Sequence, residues 1–99
     1  MAFSPAEITF PQAVGVALSD DTMSVDLADG RTIAVPLAWY PRLAHATPAE
    51  RDSWRLIAAG DGIHWIDLDE DISVADLLTG KPSAESRASL QGWLEGRPK

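Results

Sequence analysis

The sequence predicts an α+β domain: an antiparallel sheet, built from a three-stranded meander plus a second hairpin, packed against short helices with a C-terminal helix at the end. Three observations point there. Apolar residues alternate with period two through the first third of the chain, which is the strand signal. Helix-start signals are confined to the later part, beginning at Pro41. Ninety-nine residues, 45% hydrophobic and 23% charged, suit one folded domain, residues 1–99, with a thin core.

Residues 1–7 read as a loose lead-in with no secretory signal, and "ITF" before Pro11 as an added short strand. In "AVGVALSDDTMSVDLADGRTIAVPL" the first turn is Ser19 to Thr22. That sets Leu18 opposite Met23, Val16 opposite Val25 and Val14 opposite Leu27, all on one face. A two-residue Asp29-Gly30 turn would flip Ile33 and Val35 to the wrong side. A three-residue loop, Ala28-Asp29-Gly30, pairs Val25 with Ile33 and Met23 with Val35, and keeps one apolar face. Gly30 then takes the left-handed position, where a missing Cβ removes the steric cost.

Pro36 ends the third strand. Pro41 opens one short helix and Thr47-Pro48-Ala49-Glu50 another, with Thr47 as cap and Glu50 reaching back to it. Leu56 to Ala58 and Ile63 to Ile66 form the second hairpin around Gly60-Asp61-Gly62. Ser73 caps "VADLLT", in which Val74, Leu77 and Leu78 share a face, and Gly80 stops it. The final helix is expected over 83–96, capped by Ser83, with Leu90, Trp93 and Leu94 as its apolar stripe.

Composition narrows the function classes. No apolar run approaches the ~20 residues that cross a bilayer, so no membrane role is expected. With no cysteine, disulfides, thiolate metal sites and a Cys nucleophile are excluded, which suits a cytoplasmic protein. A net charge of −7 with scattered Lys and Arg gives no phosphate-binding stripe, so no direct nucleic-acid contact is expected. An acidic surface fits a basic protein partner instead.

Motifs are sparse. Asp67, Asp69 and Asp71 begin like a calcium loop, but Ile72 and Leu78 stand where Gly and Glu are required. The acidic run reads instead as the junction where a strand hands over to a helix, its charge favoured by the helix dipole. His45 and His64 lack partners at metal-ligand spacing, and no nucleophile or phosphate-loop motif is present. No cofactor and no enzyme activity are expected. The aromatic set is richer: Trp39, Tyr40, Trp54, Trp65 and Trp93 are many large rings for this length. Most should fill the core. Trp, Tyr and Arg also favour interfaces, which makes Trp39, Tyr40, Arg42, His45, Trp54 and Arg55 the candidate protein-binding set. Asp69, Glu70 and Asp71 form a secondary contact.

The stretches "LADGRTIAVPLAWYPRLAHATPAERDSWRL" and "GDGIHWIDLDEDISVADLLTGKPS" resemble a bacterial family known as domain of unknown function 2442, over roughly Ala13 to Leu78. Ile66 stands where members often have Pro, which makes the strand easier to continue. The resemblance implies a small α+β domain without established activity. Members are often encoded beside a second small protein, which implies an accessory or antitoxin-like role in a two-gene pair. The partner expected is therefore a small basic protein encoded nearby; a second copy, paired through a free sheet edge, is also considered. Three other readings stay open: an acidic mimic of nucleic acid that blocks a basic protein, a metal-dependent enzyme using His64 with nearby Asp residues, and a purely structural domain with all its rings buried.

Overall fold

A computed structural model describes residues 10–97. The lead-in and the "ITF" strand lie largely outside that range. Strands β1 (Ala13–Leu18), β2 (Thr22–Leu27) and β3 (Thr32–Pro36) form one antiparallel meander. Val16 faces Val25, Leu18 faces Met23, Val25 faces Ile33 and Met23 faces Val35, the register that the alternation predicts. Gly30 has φ +94°, and its N–H donates to the Leu27 carbonyl across the three-residue loop. One pairing differs. A bulge between Ala13 and Gly15 shifts the register, so Ala13, not Val14, opposes Leu27. The extra residue turns Val14 outward, 59% exposed, and sends Ala13 into the core.

The second half corrects the expectation of one continuous sheet. Strands β4 (Trp54–Ile57), β5 (Gly62–Trp65) and β6 (Glu70–Ser73) form a separate three-stranded antiparallel sheet. The α+β class holds, but the second hairpin is a meander. After Trp65 the chain makes a tight turn at Ile66–Leu68, and Asp69 takes a left-handed conformation at φ 49°. Short polar Asp tolerates that geometry better than most residues. The acidic run then returns alongside β5, with Glu70 opposite Trp65, Asp71 opposite His64 and Ile72 opposite Ile63. The chain therefore turns back sharply after Trp65 without a proline, and Ile66 is left 56% exposed.

The sheets share one core. Met23, Val25, Leu27 and Val35 from the first pack with Ile63, Trp65 and Ile72 from the second, joined by Leu37, Leu43, Leu68, Val74 and Leu77. Gly60 lets the sheets meet. It sits at φ +94°, and a Cβ there would lie 2.7 Å from the Ala13 carbonyl oxygen and 2.8 Å from Gln12 Cβ. Ala58 and Ala59 before it are also left-handed, at φ 50° and 56°.

Helices α1 (Pro41–Ala44) and α2 (Pro48–Arg51) link the two sheets. The Thr47–Glu50 capping box forms in both directions. Helix α3 (Val74–Thr79) is capped by Ser73 and stopped by left-handed Gly80. Helix α4 spans Arg87–Glu95, not 83–96, because Ser86 is the cap that accepts from the Ser89 N–H. Ser83 instead accepts from the Glu85 N–H and donates its own N–H to the Trp39 carbonyl. Among the described residues no helix is long and apolar enough to cross a membrane.

Candidate functional site

The strand hidden in the acidic run creates the site. Among the described residues, β6 pairs with β5 on one side only. The Val74 N–H donates to the Asp61 carbonyl just past the strand's end. Bonded pairs alternate along an antiparallel ladder, so the peptide groups of Asp71 and the N–H of Ser73 point away from β5. A cleft of about 300 Å³ runs beside this edge, lined by Tyr40, residues 70–73, Asp76 and residues 81–84.

Its electrostatics are acidic. Glu70 lies on the core-facing side of β6. Burial pushes its carboxyl up to about 7, helped by the charges of Glu85, Asp71 and Asp69 and opposed by Arg42. Tyr40 is 3% exposed and donates to the Lys81 carbonyl at 3.4 Å. Burial, with the Asp76 and Glu70 charges, pushes its phenol to about 12. Tyr40 therefore serves as a cleft wall, not as a projecting contact.

Arg42 stands behind the cleft and is fully engaged. Its Nε and Nη2 grip the Glu85 carboxylate at 2.7–3.1 Å, and its Nη1 donates to the Leu68 carbonyl at 2.9 Å. Its guanidinium also lies 5.3 Å from the Trp93 ring centre, and Arg97 lies 4.5 Å from the same ring. Arg97 in turn binds Glu50 at 2.6 and 3.0 Å. That pairing, with the Thr47 N–H bond, pulls the Glu50 carboxyl down to about 2. The Arg42 pairing likewise holds Glu85 below the usual carboxylate range.

The candidate set thus divides. Tyr40, Glu70 and Asp71 line the cleft, whereas Arg42 and Asp69 act on it only through their charges on Glu70. Trp39 is half-buried, with its carbonyl bound to Ser83. Trp54 is half-buried opposite Trp65, Arg55 is exposed opposite His64, and His45 is exposed at the end of α1. Sequence reasoning missed Asp76 and Lys81 in the cleft, and Glu50, Glu85 and Arg97 in the α4 attachment. Asp76 stands one helical turn beyond the edge strand; the sequence pairs it only with the Ser73 cap.

His64 Nδ1 lies 2.5 Å from Asp71 Oδ1 on the outer face of the second sheet, away from Trp65. His64 lines neither cleft. Among the described residues no three His, Asp or Glu groups converge as a metal-ligand set. Several acidic residues occupy turns at different corners: Asp20 and Asp21 between β1 and β2, Asp29 between β2 and β3, Asp67 and Asp69 between β5 and β6. A larger hollow of about 500 Å³, lined by Phe10, Pro11, Gln12, Asp61 and residues 73–75, carries a single carboxylate.

The family profile described as protein of unknown function (DUF2442) matches residues 13–83. The chain belongs to the DUF2442 family. A crystal structure of a protein of unknown function from Rhodospirillum rubrum has the same fold as this DUF2442 domain. It shows 27% identity and a TM-score of 0.66, over 83% of this chain and 99% of that one. An uncharacterized protein from Chromobacterium violaceum, solved by NMR, shares the fold at 21% identity and a TM-score of 0.64, over 74% of this chain and 69% of that one. No curated protein is significantly similar to the chain. Of the cleft lining, only Ala84 falls outside the DUF2442 match, whereas all of α4 does.

Proposed function

We propose that this DUF2442 domain is a non-enzymatic protein-interaction module that binds a basic, extended segment of a small partner protein in the cleft beside β6. The observation that carries the reading is an unpaired strand edge bordering an acidic cleft. An exposed edge offers main-chain donors and acceptors to an added strand, and flanking pockets select its side chains. Here the flanking groups are Glu70, Asp71 and Asp76, and the chain carries a net charge of −7. Lys and Arg side chains alternating along the incoming strand match them in sign. In a two-gene pair, the domain is the acidic accessory or antitoxin-like member, acting in the cytoplasm.

An alternating peptide, acetyl-KVKVKV-amide, titrated into ¹⁵N-labelled protein tests this. The expected result is saturable shifts at the Asp71 and Ser73 amides, lost in Glu70→Lys and Asp76→Lys variants. Shifts scattered evenly over the acidic turns would mean charge attraction without a site, and the proposal would fail.

A further inference from the structure

We propose that the face formed by α1 and α2 is a separable docking site for the segment carrying Glu85, Trp93 and Arg97, and that a second copy of this chain supplies that segment in trans. The inference does not depend on the β6 cleft.

The first observation is that the body is complete without α4. Among the described residues, every buried core residue lies between Ala13 and Leu77, inside the family match that stops at residue 83. Helix α4 contributes no buried residue, and its Trp93 is only half-buried against the core. Hydrophobic burial therefore holds this helix weakly.

The second observation is what holds it instead. The body presents two charges fixed before α4 arrives. Arg42 is oriented by the Leu68 carbonyl, and Glu50 by the Thr47 N–H of the capping box. The segment presents their complements in order: the Glu85 carboxylate and the Trp93 ring for Arg42, and Arg97, itself stacked on Trp93, for Glu50. Both Arg–carboxylate pairs are forked, a geometry that adds direction to strength. Forked pairs flanking an aromatic ring form a recognition code, more specific than an apolar stripe.

The third observation is the connection. Between Gly80 and Ser86 the chain has no helix or strand. Its backbone is tied to the body by the Lys81 N–H to the Asp76 carbonyl, the Tyr40 hydroxyl to the Lys81 carbonyl and the Ser83 N–H to the Trp39 carbonyl, with no such tie from Ala84 to Ser86 among the described residues. A segment joined by such a link closes on its own body at low concentration, because the tether supplies millimolar effective concentration. At higher concentration, exchange between two copies reproduces every contact and forms a dimer by swapping the terminal helix.

The test uses a fluorescein-labelled peptide of residues 83–97 and the full chain, read by anisotropy. An Arg97→Ala chain, altered only at a surface side chain, and a Trp93→Ala, Arg97→Ala chain should both bind the peptide. The wild-type chain, with its own segment in place, should bind at least tenfold more weakly. Adding Glu50→Gln to either loosened chain should cut affinity at least fivefold, since Gln keeps the Thr47 bond and loses the Arg97 charge pair. No binding to the loosened chains, or binding indifferent to Glu50, overturns the docking site. In a second arm, wild-type protein is refolded from denaturant at millimolar concentration and sized by light scattering. A dimer that Glu50→Gln abolishes is expected; monomer throughout overturns the role of the second copy.

Discussion

Replacing Glu70 by Gln should stabilise the protein, and only at neutral or alkaline pH. Glu70 is held half-buried opposite Trp65, and its carboxyl is raised to about 7 from the 4.5 of a free glutamate. A raised carboxyl is protonated in the folded chain and ionised in the unfolded chain between those two values. Folding then takes up a proton, so stability falls as pH rises from about 4.5 to about 7, and the full penalty applies above that. The whole displacement corresponds to about 3 kcal/mol; water around a half-buried group screens it to about 1–2 kcal/mol. Gln has the same shape and no charge to desolvate. Urea unfolding at pH 8 should therefore show Glu70→Gln more stable than wild type by about 1–2 kcal/mol, with the melting temperature higher by about 4–8 °C for each kcal/mol. At pH 4.5 the two proteins should agree within about 0.5 kcal/mol, because wild-type Glu70 is then neutral in the fold. An equal gain at both pH values, or a loss at pH 8, would refute the claim that ionised Glu70 strains the β6 cleft.

A bound cation favours ionised Glu70, so affinity for the Lys-Val peptide should rise between pH 6 and pH 8, with proton release seen by calorimetry in buffers of different ionisation enthalpy. Gly60→Ala places a methyl group against the Ala13 carbonyl at a positive φ; a loss of about 2–3 kcal/mol is expected in chemical denaturation. Ala59→Gly, next to it, relieves a left-handed alanine and should be neutral to stabilising by up to about 1 kcal/mol. Glu50 is lowered to about 2 by Arg97, so its contribution is whole above about pH 4.5 and disappears as pH falls through about 2. The Trp93 indole NMR signal should report α4 undocking over that acid range, before the core signals of Trp65 change. Arg97→Ala should shift the same signal at pH 7 and cost about 1 kcal/mol.

Much of the fold was legible because its signals are local. Alternation in "TMSVDL" and the demand for one apolar face fixed the register of the first meander, including the loop at Gly30. Thr47-Pro48-Ala49-Glu50 and Ser73 announced their helices through capping geometry, although Asp76, at the position that would close a second capping box, gives Ser73 its backbone N–H and not its carboxylate. The misses share a physical cause. Through β6 and its flanks apolar residues recur at alternate positions, Leu68 in the preceding turn, Ile72 in the strand and Val74 at the start of α3, but Glu70 interrupts them, and a charge run reads as a solvated turn. Strand identity there depends on β5 alongside it, a long-range fact. The bulge at Val14 was invisible because Ala13 and Val14 are both acceptable inside; contact with Gly60 decides between them. The same holds for the site. Arg42 beside two rings looked like an open contact, since nothing near it in the chain reveals that Glu85 and Trp93 occupy it.

The wrinkle at Val14 bears on how the molecule avoids sticking to itself. An outermost ribbon of six residues with a bare apolar side chain is a natural template on which further chains could stack. One surplus residue breaks the regular spacing of amide groups along that margin and increases its twist. Straightening it, by deleting Val14, should restore an even row of donors and acceptors and turn a well-behaved protein into one that forms fibres.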